Sequence, residues 1–219
     1  MEDSFKPIEQ SFASVNANCK PLAKALVLPV IAYLAIASLM FVYDANTNFT
    51  WILTAAILIP ITLIAITTHR IILLGPESVP TWGINRFGWR EVKFTLAQCV
   101  IIIFLVPVIV LFFIPFVGPI LGMIVGAYML GRMSLVFPSI ALQRKFDFKD
   151  SWDATKNHKL MMFVVVAVFP FVLGMIEFML ERIQGIALVL QAISLITTVY
   201  VVAALSIAYQ IILEPESVR

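Results

Sequence analysis

The chain has 219 residues, of which 61% are hydrophobic and only 13% are charged, and its mean hydropathy is +1.00. A soluble globular domain carries about a quarter charged residues, and a core of this size cannot hide so large an apolar excess. Lipid must therefore surround most of the chain. The formal net charge is +2, and nucleic acid is not expected as a partner, because no basic face remains once the apolar helices are set aside.

The first 21 residues predict an amphipathic helix that precedes the membrane spans. Apolar side chains recur here every three or four residues, at Phe5, Ile8, Phe12, Val15, Cys19 and Leu22. The polar, acidic start lacks the basic and then apolar pattern of a cleavable signal peptide. We expect this helix to lie in the headgroup region, and the alternative is a packed loop.

Six apolar stretches are long enough to cross a bilayer, which needs roughly 20 residues per helix. They predict an all-α, polytopic membrane protein in which residues 1–219 form a single membrane domain of three helical hairpins. The expected spans cover about 22–43, 50–74, 92–114, 117–142, 160–180 and 184–213. Pro115 and Pro119 break the helix between the third and fourth spans, and a continuous helix over 115–130 is the competing interpretation.

Aromatic residues beside charged ones predict two further interfacial helices. Trp82, Phe87 and Trp89 precede the third span, and Phe148 and Trp152 precede the fifth. The two cysteines of the chain are expected to be small packing residues rather than disulfide partners.

Lysine and arginine are distributed very unevenly between the two sides of the predicted bundle. The connections at 44–49, 115–119 and 181–184 contain only Arg182 of the 15 basic residues, and the others lie in the termini or at the opposite ends of the spans. Short loops rich in these residues stay in the cytoplasm. We therefore expect both termini on the cytoplasmic side of the membrane.

The even-numbered spans end in similar strings, which indicates an internal repeat. The string IILLGPESV begins at Ile71, and IILEPESV begins at Ile211. Aligning these strings with the end of the fourth span places Arg70, Arg132 and Gln210 at equivalent positions. The odd-numbered spans carry prolines inside their apolar runs, at Pro29, Pro107 and Pro170. The chain is thus expected to contain three units of interfacial helix, span and returning span.

Basic residues at the ends of the even spans are the candidate binding residues. His69, Arg70 and Arg132 are expected to contact lipid phosphate or another anion, because a guanidinium group matches phosphate geometry. The alternative is that they extend into the interface and set the topology. Glu177 and Glu181, beside Arg182, are expected to form a solvated rim rather than a proton or cation path.

Gly118, Gly122 and Gly126 lie on one face of the fourth span. A stripe of small residues lets two helices approach closely, so we expect helix packing inside the monomer. A dimer contact and a substrate-lining surface are the alternatives.

The sequence contains no phosphate-binding loop, zinc-protease motif, serine-hydrolase elbow or paired-cysteine motif. No catalytic residue, metal or cofactor is expected, and the chain is predicted not to be an enzyme.

Two segments support a family resemblance. Residues 131–142 read GRMSLVFPSIAL, and residues 150–157 read DSWDATKN. Together with 69–75, they resemble a group of uncharacterised bacterial inner-membrane proteins related to the membrane domain joined to some glycerophosphodiester phosphodiesterases. The resemblance implies a polytopic helical fold and a bacterial inner membrane. It does not extend to the phosphodiesterase domain and implies no catalytic residue.

We therefore expect a non-enzymatic scaffold or accessory subunit of the inner membrane, in envelope or lipid homeostasis. Its partners would be membrane lipids and another membrane protein or a second copy of itself. The alternative is a small transporter or channel for an amphipathic or lipid-like solute. A transporter should contain a polar, water-accessible cavity near the middle of the membrane.

Overall fold

The computed structural model describes residues 4–42, 48–80, 82, 87–181, 183 and 187–214. Throughout these ranges the regular structure is helical, and six helical segments are long and apolar enough to span a membrane. This confirms the predicted all-α, polytopic membrane fold.

The helices follow one another along the chain with short connections. Their bounds are α1 Lys6–Ala17, α2 Cys19–Val42, α3 Asn48–Ala56, α4 Leu58–Leu74, α5 Trp89–Leu111, α6 Gly118–Met133, α7 Val136–Ala141, α8 Phe148–Ala154, α9 Lys159–Phe163, α10 Phe169–Leu180 and α11 Ala187–Leu213. The six spans are 19–40, 49–74, 89–111, 118–141, 159–180 and 189–213. The second, fourth and fifth spans each contain an internal break, and a π-helical segment over 164–168 joins α9 to α10.

Proline and glycine account for two of the turns. The helix ladder ends at Leu111 and resumes at Gly118, as the prolines at 115 and 119 require. At the end of α4, Gly75 adopts a φ of +86°, and its N–H donates to the Ile71 carbonyl oxygen. A side chain at this φ would be strained, so glycine is needed to end this helix.

One end of the bundle is named the basic end. Helices α2, α5 and α9 begin there, and helices α4, α7 and α11 terminate there. The best-buried side chains lie in the halves of the even spans nearest this end. Residues 64–69, 131–136 and 203–209 are all buried. Helix α4 packs against α2, α5, α7 and α11 and thereby occupies the centre of the fold.

Helix α1 packs along α11 instead of standing apart from the bundle. Its buried face contains Pro7, Ser11 and Val15. Phe12 contacts Tyr200, with ring centroids 4.8 Å apart, yet it remains 41% exposed. The segment is thus helical, as expected, but part of its predicted apolar stripe faces outward.

Two local expectations were wrong. Trp89 and Glu91 do not belong to a separate interfacial helix, since they form the first turn of α5; Arg86 lies outside the described residues. Cys19 and Cys99 are both exposed and do not act as packing residues. Both expectations came from residue periodicity and from the average burial of each residue type. Neither property reveals which face of a helix contacts a neighbouring helix.

Candidate functional site

His69 joins α4 to α11 within the core. Its Nδ1 lies 2.8 Å from the Ser206 hydroxyl oxygen, and both side chains are buried. The imidazole is therefore committed to an interhelical hydrogen bond, and the contact holds the two central helices in register.

Arg70 is held by backbone carbonyl groups. Its Nε and Nη2 donate to the carbonyl oxygen of Ser78 at 3.1 and 2.8 Å. Its Nη1 donates to the carbonyl oxygen of Ala141 at 3.2 Å. The last carbonyls of a helix carry partial negative charge and favour a cation, so Arg70 ties the end of α7 to the turn that follows α4.

Arg132 is buried in a different way. Its guanidinium carbon lies 4.7 Å from the centroid of the Trp152 ring, and the residue is only 3% exposed. Within the described parts of the chain, its Nε and Nη1 have no hydrogen-bond partner. Its carbonyl oxygen accepts from the hydroxyl groups of Ser151 and Thr155, at 2.8 and 3.4 Å, and thereby anchors α8.

His69 and Arg70 are neighbours on α4, but no hydrogen bond or ring contact in the described ranges joins Arg132 to either of them. Arg70 is bonded to the carbonyl oxygens of Ser78 and Ala141, whereas Arg132 is covered by Trp152. The lipid- or anion-binding role of His69, Arg70 and Arg132 stays a prediction.

The glycine stripe of α6 faces α5. A Cβ atom built on Gly118 would lie 2.1 Å from the carbonyl oxygen of Leu111, and one on Gly122 would lie 2.5 Å from the Phe112 ring. At Gly126 the nearest atom, a Val108 methyl carbon, would be 3.6 Å away. The closest approach is therefore at the turn between the two helices, and the distance between α5 and α6 increases toward the basic end.

A cavity of about 510 Å³ lies between the α5–α6 hairpin and the fifth span. Apolar residues and glycine line it; they include Val108, Gly122, Gly126, Leu130 and Phe163. Space of this kind suits hydrocarbon and offers water no hydrogen-bond partners.

Polar side chains inside the spans bond to neighbouring helices. The Tyr33 hydroxyl donates to Gln191 Oε1 at 2.8 Å and joins α2 to α11. The hydroxyl oxygens of Thr62 and Thr95 lie 3.2 Å apart and join α4 to α5. Such bonds supply the interhelical attraction that apolar surface cannot supply in lipid.

A second, larger space opens at the basic end, between α5 and the segment from α7 to the start of α8. We call it the basic groove; its volume is about 810 Å³. Four cationic side chains line it, namely Arg90, Lys93, Arg144 and Lys145. The groove therefore combines a positive rim with access from the end of the bundle.

Two of these cations have carboxylate partners. Arg90 Nε donates to Glu91 at 2.9 Å, and the other oxygen of Glu91 accepts from the Gly88 N–H. Arg144 forms a salt bridge with Glu214. The hydrogen bond that Arg144 donates to Glu214 raises the pKa of the Arg144 guanidinium above its ordinary value despite some desolvation, and Tyr209 adds to this effect. Arg144 thus stays charged at every working pH.

Lys93 and Lys145 differ from the two arginines. Both are exposed, and neither has an ion-pair partner among the residues that the structure describes. Two carboxylates also line the groove, Asp147 and Asp150, but each accepts a backbone N–H of the other residue at the start of α8. The two lysines are therefore available to an external anion.

The floor of the basic groove is apolar. Leu96 and Val100 of α5 face Val136 and Ile140 of α7 across it. On α5, the lining residues change from charged to apolar within two helical turns. The groove can accordingly bind a molecule that is anionic at one end and apolar along its length.

Sequence reasoning did not single out this groove. The lysines and arginines that line it were interpreted only as topology determinants, because each flanks a span. The available signal was the presence of lysines beside Trp89 at the predicted interface, but the nearest residues of the two walls, Val100 and Val136, are 36 residues apart in the chain.

No family model, curated protein or solved structure matches the chain. The resemblance to the membrane domain joined to some glycerophosphodiester phosphodiesterases therefore stays a prediction. The function has to be argued from the geometry of the two spaces and the basic end.

Proposed function

We propose that this chain is a non-enzymatic scaffold or accessory subunit of the bacterial inner membrane, acting in envelope or lipid homeostasis. In this proposal both termini lie in the cytoplasm, and the basic end contacts the headgroups of the cytoplasmic leaflet. The partners are membrane lipids and a second membrane protein or another copy of the chain.

The observation that carries the proposal is the separation of polar from apolar space. The basic groove lies at the basic end of the bundle, whereas the cavity between the α5–α6 hairpin and the fifth span has an apolar lining. A transporter for a polar or charged group needs polar residues along a path through the membrane. Here Tyr33, Thr62 and His69 are engaged in bonds between helices, which favours a rigid framework.

The basic residues divide between two tasks in this proposal. His69 and Arg70 hold the central helices, since their polar atoms already have protein partners. Arg132 keeps the predicted anion-binding role, because a buried guanidinium without a hydrogen-bond partner is costly. A headgroup phosphate that reaches its edge beside Trp152 would offset that cost.

The test compares lipid enrichment with lipid movement. The full chain is reconstituted into liposomes of phosphatidylglycerol and phosphatidylcholine, and transbilayer movement of a fluorescent phosphatidylglycerol is followed by quenching from outside. We expect the labelled lipid to cross the bilayer no faster than it does in protein-free liposomes. We also expect the purified protein to be enriched in phosphatidylglycerol over phosphatidylcholine.

Faster movement of the labelled lipid would favour the alternative, a transporter for a lipid-like solute. Equal recovery of the two lipids would contradict the proposed headgroup contact. A protein-free preparation carried through the same steps controls for leakage of the quencher.

A further inference from the structure

We infer that the basic groove is a binding site for a single anionic glycerophospholipid. Its phosphate would be held by Lys93 and Lys145, and an acyl chain would lie along the floor between α5 and α7. The inference rests on the proposed function, since it names the lipid class and the place at which the basic end would hold it.

The rim supplies the charge for a phosphate group. Lys93 and Lys145 lie on opposite walls, one on α5 and the other in the loop after α7. Neither forms an ion pair with a carboxylate of the described chain, whereas Arg90 and Arg144 do. Asp147 and Asp150 also line the groove, but each carboxylate accepts a backbone N–H at the start of α8.

On α5 the groove extends from Trp89 to Val100, which is eleven residues, or about 16 Å at about 1.5 Å rise per residue. The apolar floor, from Leu96 to Val100, takes up about 6 Å of this length. The charged rim and the apolar floor thus follow one another along α5 in the order of the phosphate group and the upper part of an acyl chain in one lipid.

Aromatic side chains mark the level of the headgroups. Trp89 is the first residue of α5 and is 68% exposed. The centroid of its indole ring lies 5.9 Å from Lys93 Nζ. Tryptophan is enriched at the boundary between hydrocarbon and headgroups. This places Lys93 at the depth at which a phosphate group is found.

A lipid fits this groove better than a free phosphate ion. Both lysines are exposed to solvent, and an ammonium group in water binds a small anion weakly because screening is strong. The apolar floor contributes only if the ligand carries a hydrocarbon chain. We therefore commit to an anionic phospholipid as the occupant.

The experiment counts lipids bound to the full-length protein by native mass spectrometry. The protein is exchanged into nanodiscs that contain equal amounts of phosphatidylglycerol and phosphatidylcholine, then released into mild detergent. The wild type should retain phosphatidylglycerol in preference to phosphatidylcholine, and one of the retained molecules should depend on the basic groove. Lys93→Glu/Lys145→Glu should reduce retention by at least about fivefold for each lysine, the typical effect of one basic residue near an anionic membrane surface.

Two matched variants separate the groove from general surface charge. Lys20→Glu/Lys24→Glu changes the same charge at exposed positions of α2, also at the basic end but outside the groove, and should retain the lipid. Lys93→Arg/Lys145→Arg keeps the positive charges and should retain it as well. Unchanged thermal unfolding shows that each variant is folded.

The outcomes distinguish this inference from the proposed function. If the wild type retains both lipids equally, the headgroup contact itself is absent and both proposals fail. If phosphatidylglycerol is retained but the two glutamate variants lose it equally, the attraction is diffuse; the groove is then wrong, and the proposed function stands.

Inorganic phosphate tests the contribution of the floor. An excess of phosphate in the release buffer should leave the retained lipid in place. Full displacement by phosphate, or phosphate adducts that replace the lipid one for one, would show an anion site without an acyl-chain contact and would overturn the inference.

Discussion

The half of the bundle toward the basic end is built differently from the half toward the opposite end. Toward the basic end, residues 64–69, 131–136 and 203–209 are buried and polar side chains join the helices. Toward the opposite end, where α11 begins, the faces of α5 and α10 are largely exposed, and the described contacts include the close approach at Gly118 and the hydrogen bond from Tyr33 to Gln191.

The difference shows how helices associate in lipid. Apolar surface gains little by leaving lipid for a neighbouring helix, so attraction requires close packing or hydrogen bonds. The basic half has both, whereas in the opposite half the described contacts are mostly apolar. We therefore expect contacts in the basic half to contribute most of the free energy of unfolding.

The sidedness of the two halves gives an all-or-none prediction. In a Cys19→Ser/Cys99→Ser background, single cysteines replace Phe116, which is 94% exposed at the opposite end, and Lys149, at the basic end. An impermeant maleimide added to intact cells should label only the first, because the proposed orientation places the basic end in the cytoplasm. Labelling of Lys149→Cys from outside would reverse the proposed orientation.

Replacing Arg70 should cause the largest loss of stability. Arg70→Met removes three hydrogen bonds to the carbonyl oxygens of Ser78 and Ala141. Hydrogen bonds from charged groups contribute about 1.5–3 kcal/mol each when buried, and partial exposure reduces the expected total to about 2–4 kcal/mol. Thermal unfolding in detergent measures it. An unchanged midpoint would show that the basic half does not depend on this contact.

The turn of the α5–α6 hairpin should be the next most sensitive place. Gly118→Ala would place a Cβ against the carbonyl oxygen of Leu111, and overpacking of this kind costs about 1–3 kcal/mol. Gly174→Ala is the matched control, because no atom lies within 4 Å of its added Cβ. The control should unfold at the wild-type temperature or above it, since alanine favours helix. Equal behaviour of the two variants would contradict a close contact at the turn.

Arg132 should contribute less to stability than Arg70, although the repeat places them at equivalent positions. Arg132→Met removes the contact with Trp152, and a cation–π contact is worth about 0.5–2 kcal/mol. It also removes two buried guanidinium nitrogens, Nε and Nη1, that lack hydrogen-bond partners in the described structure. We expect a net change below about 1 kcal/mol in thermal unfolding. A loss as large as that of Arg70→Met would indicate that Arg132 has a strong partner in the protein.

The parts of the fold that could be predicted depend on local rules. A span needs enough apolar residues to cross the hydrocarbon, and a helix satisfies its own backbone hydrogen bonds. Two prolines stop the helix between the third and fourth spans whatever surrounds them. For these reasons the six spans and the all-α architecture follow from the residues alone.

The repeat was a weaker guide to the environment of each residue. Arg70 and Arg132 share a motif, yet one is held by carbonyl groups and the other lies under Trp152. Likewise, Trp89 and Glu91 have the composition of an interfacial helix but start a span. A local pattern cannot reveal these differences, because each partner belongs to another part of the chain.

The apolar composition, the six membrane spans and the concentration of basic residues at one end can all be read from the residues in chain order. These properties depend on composition and on the order of residues along single helices. The pairing of Arg90 and Arg144 with carboxylates, and the position of Lys93 and Lys145 beside an apolar floor, depend instead on how separate helices pack. The two walls of that groove come from separate spans, and their meeting depends on how α5 and α7 pack.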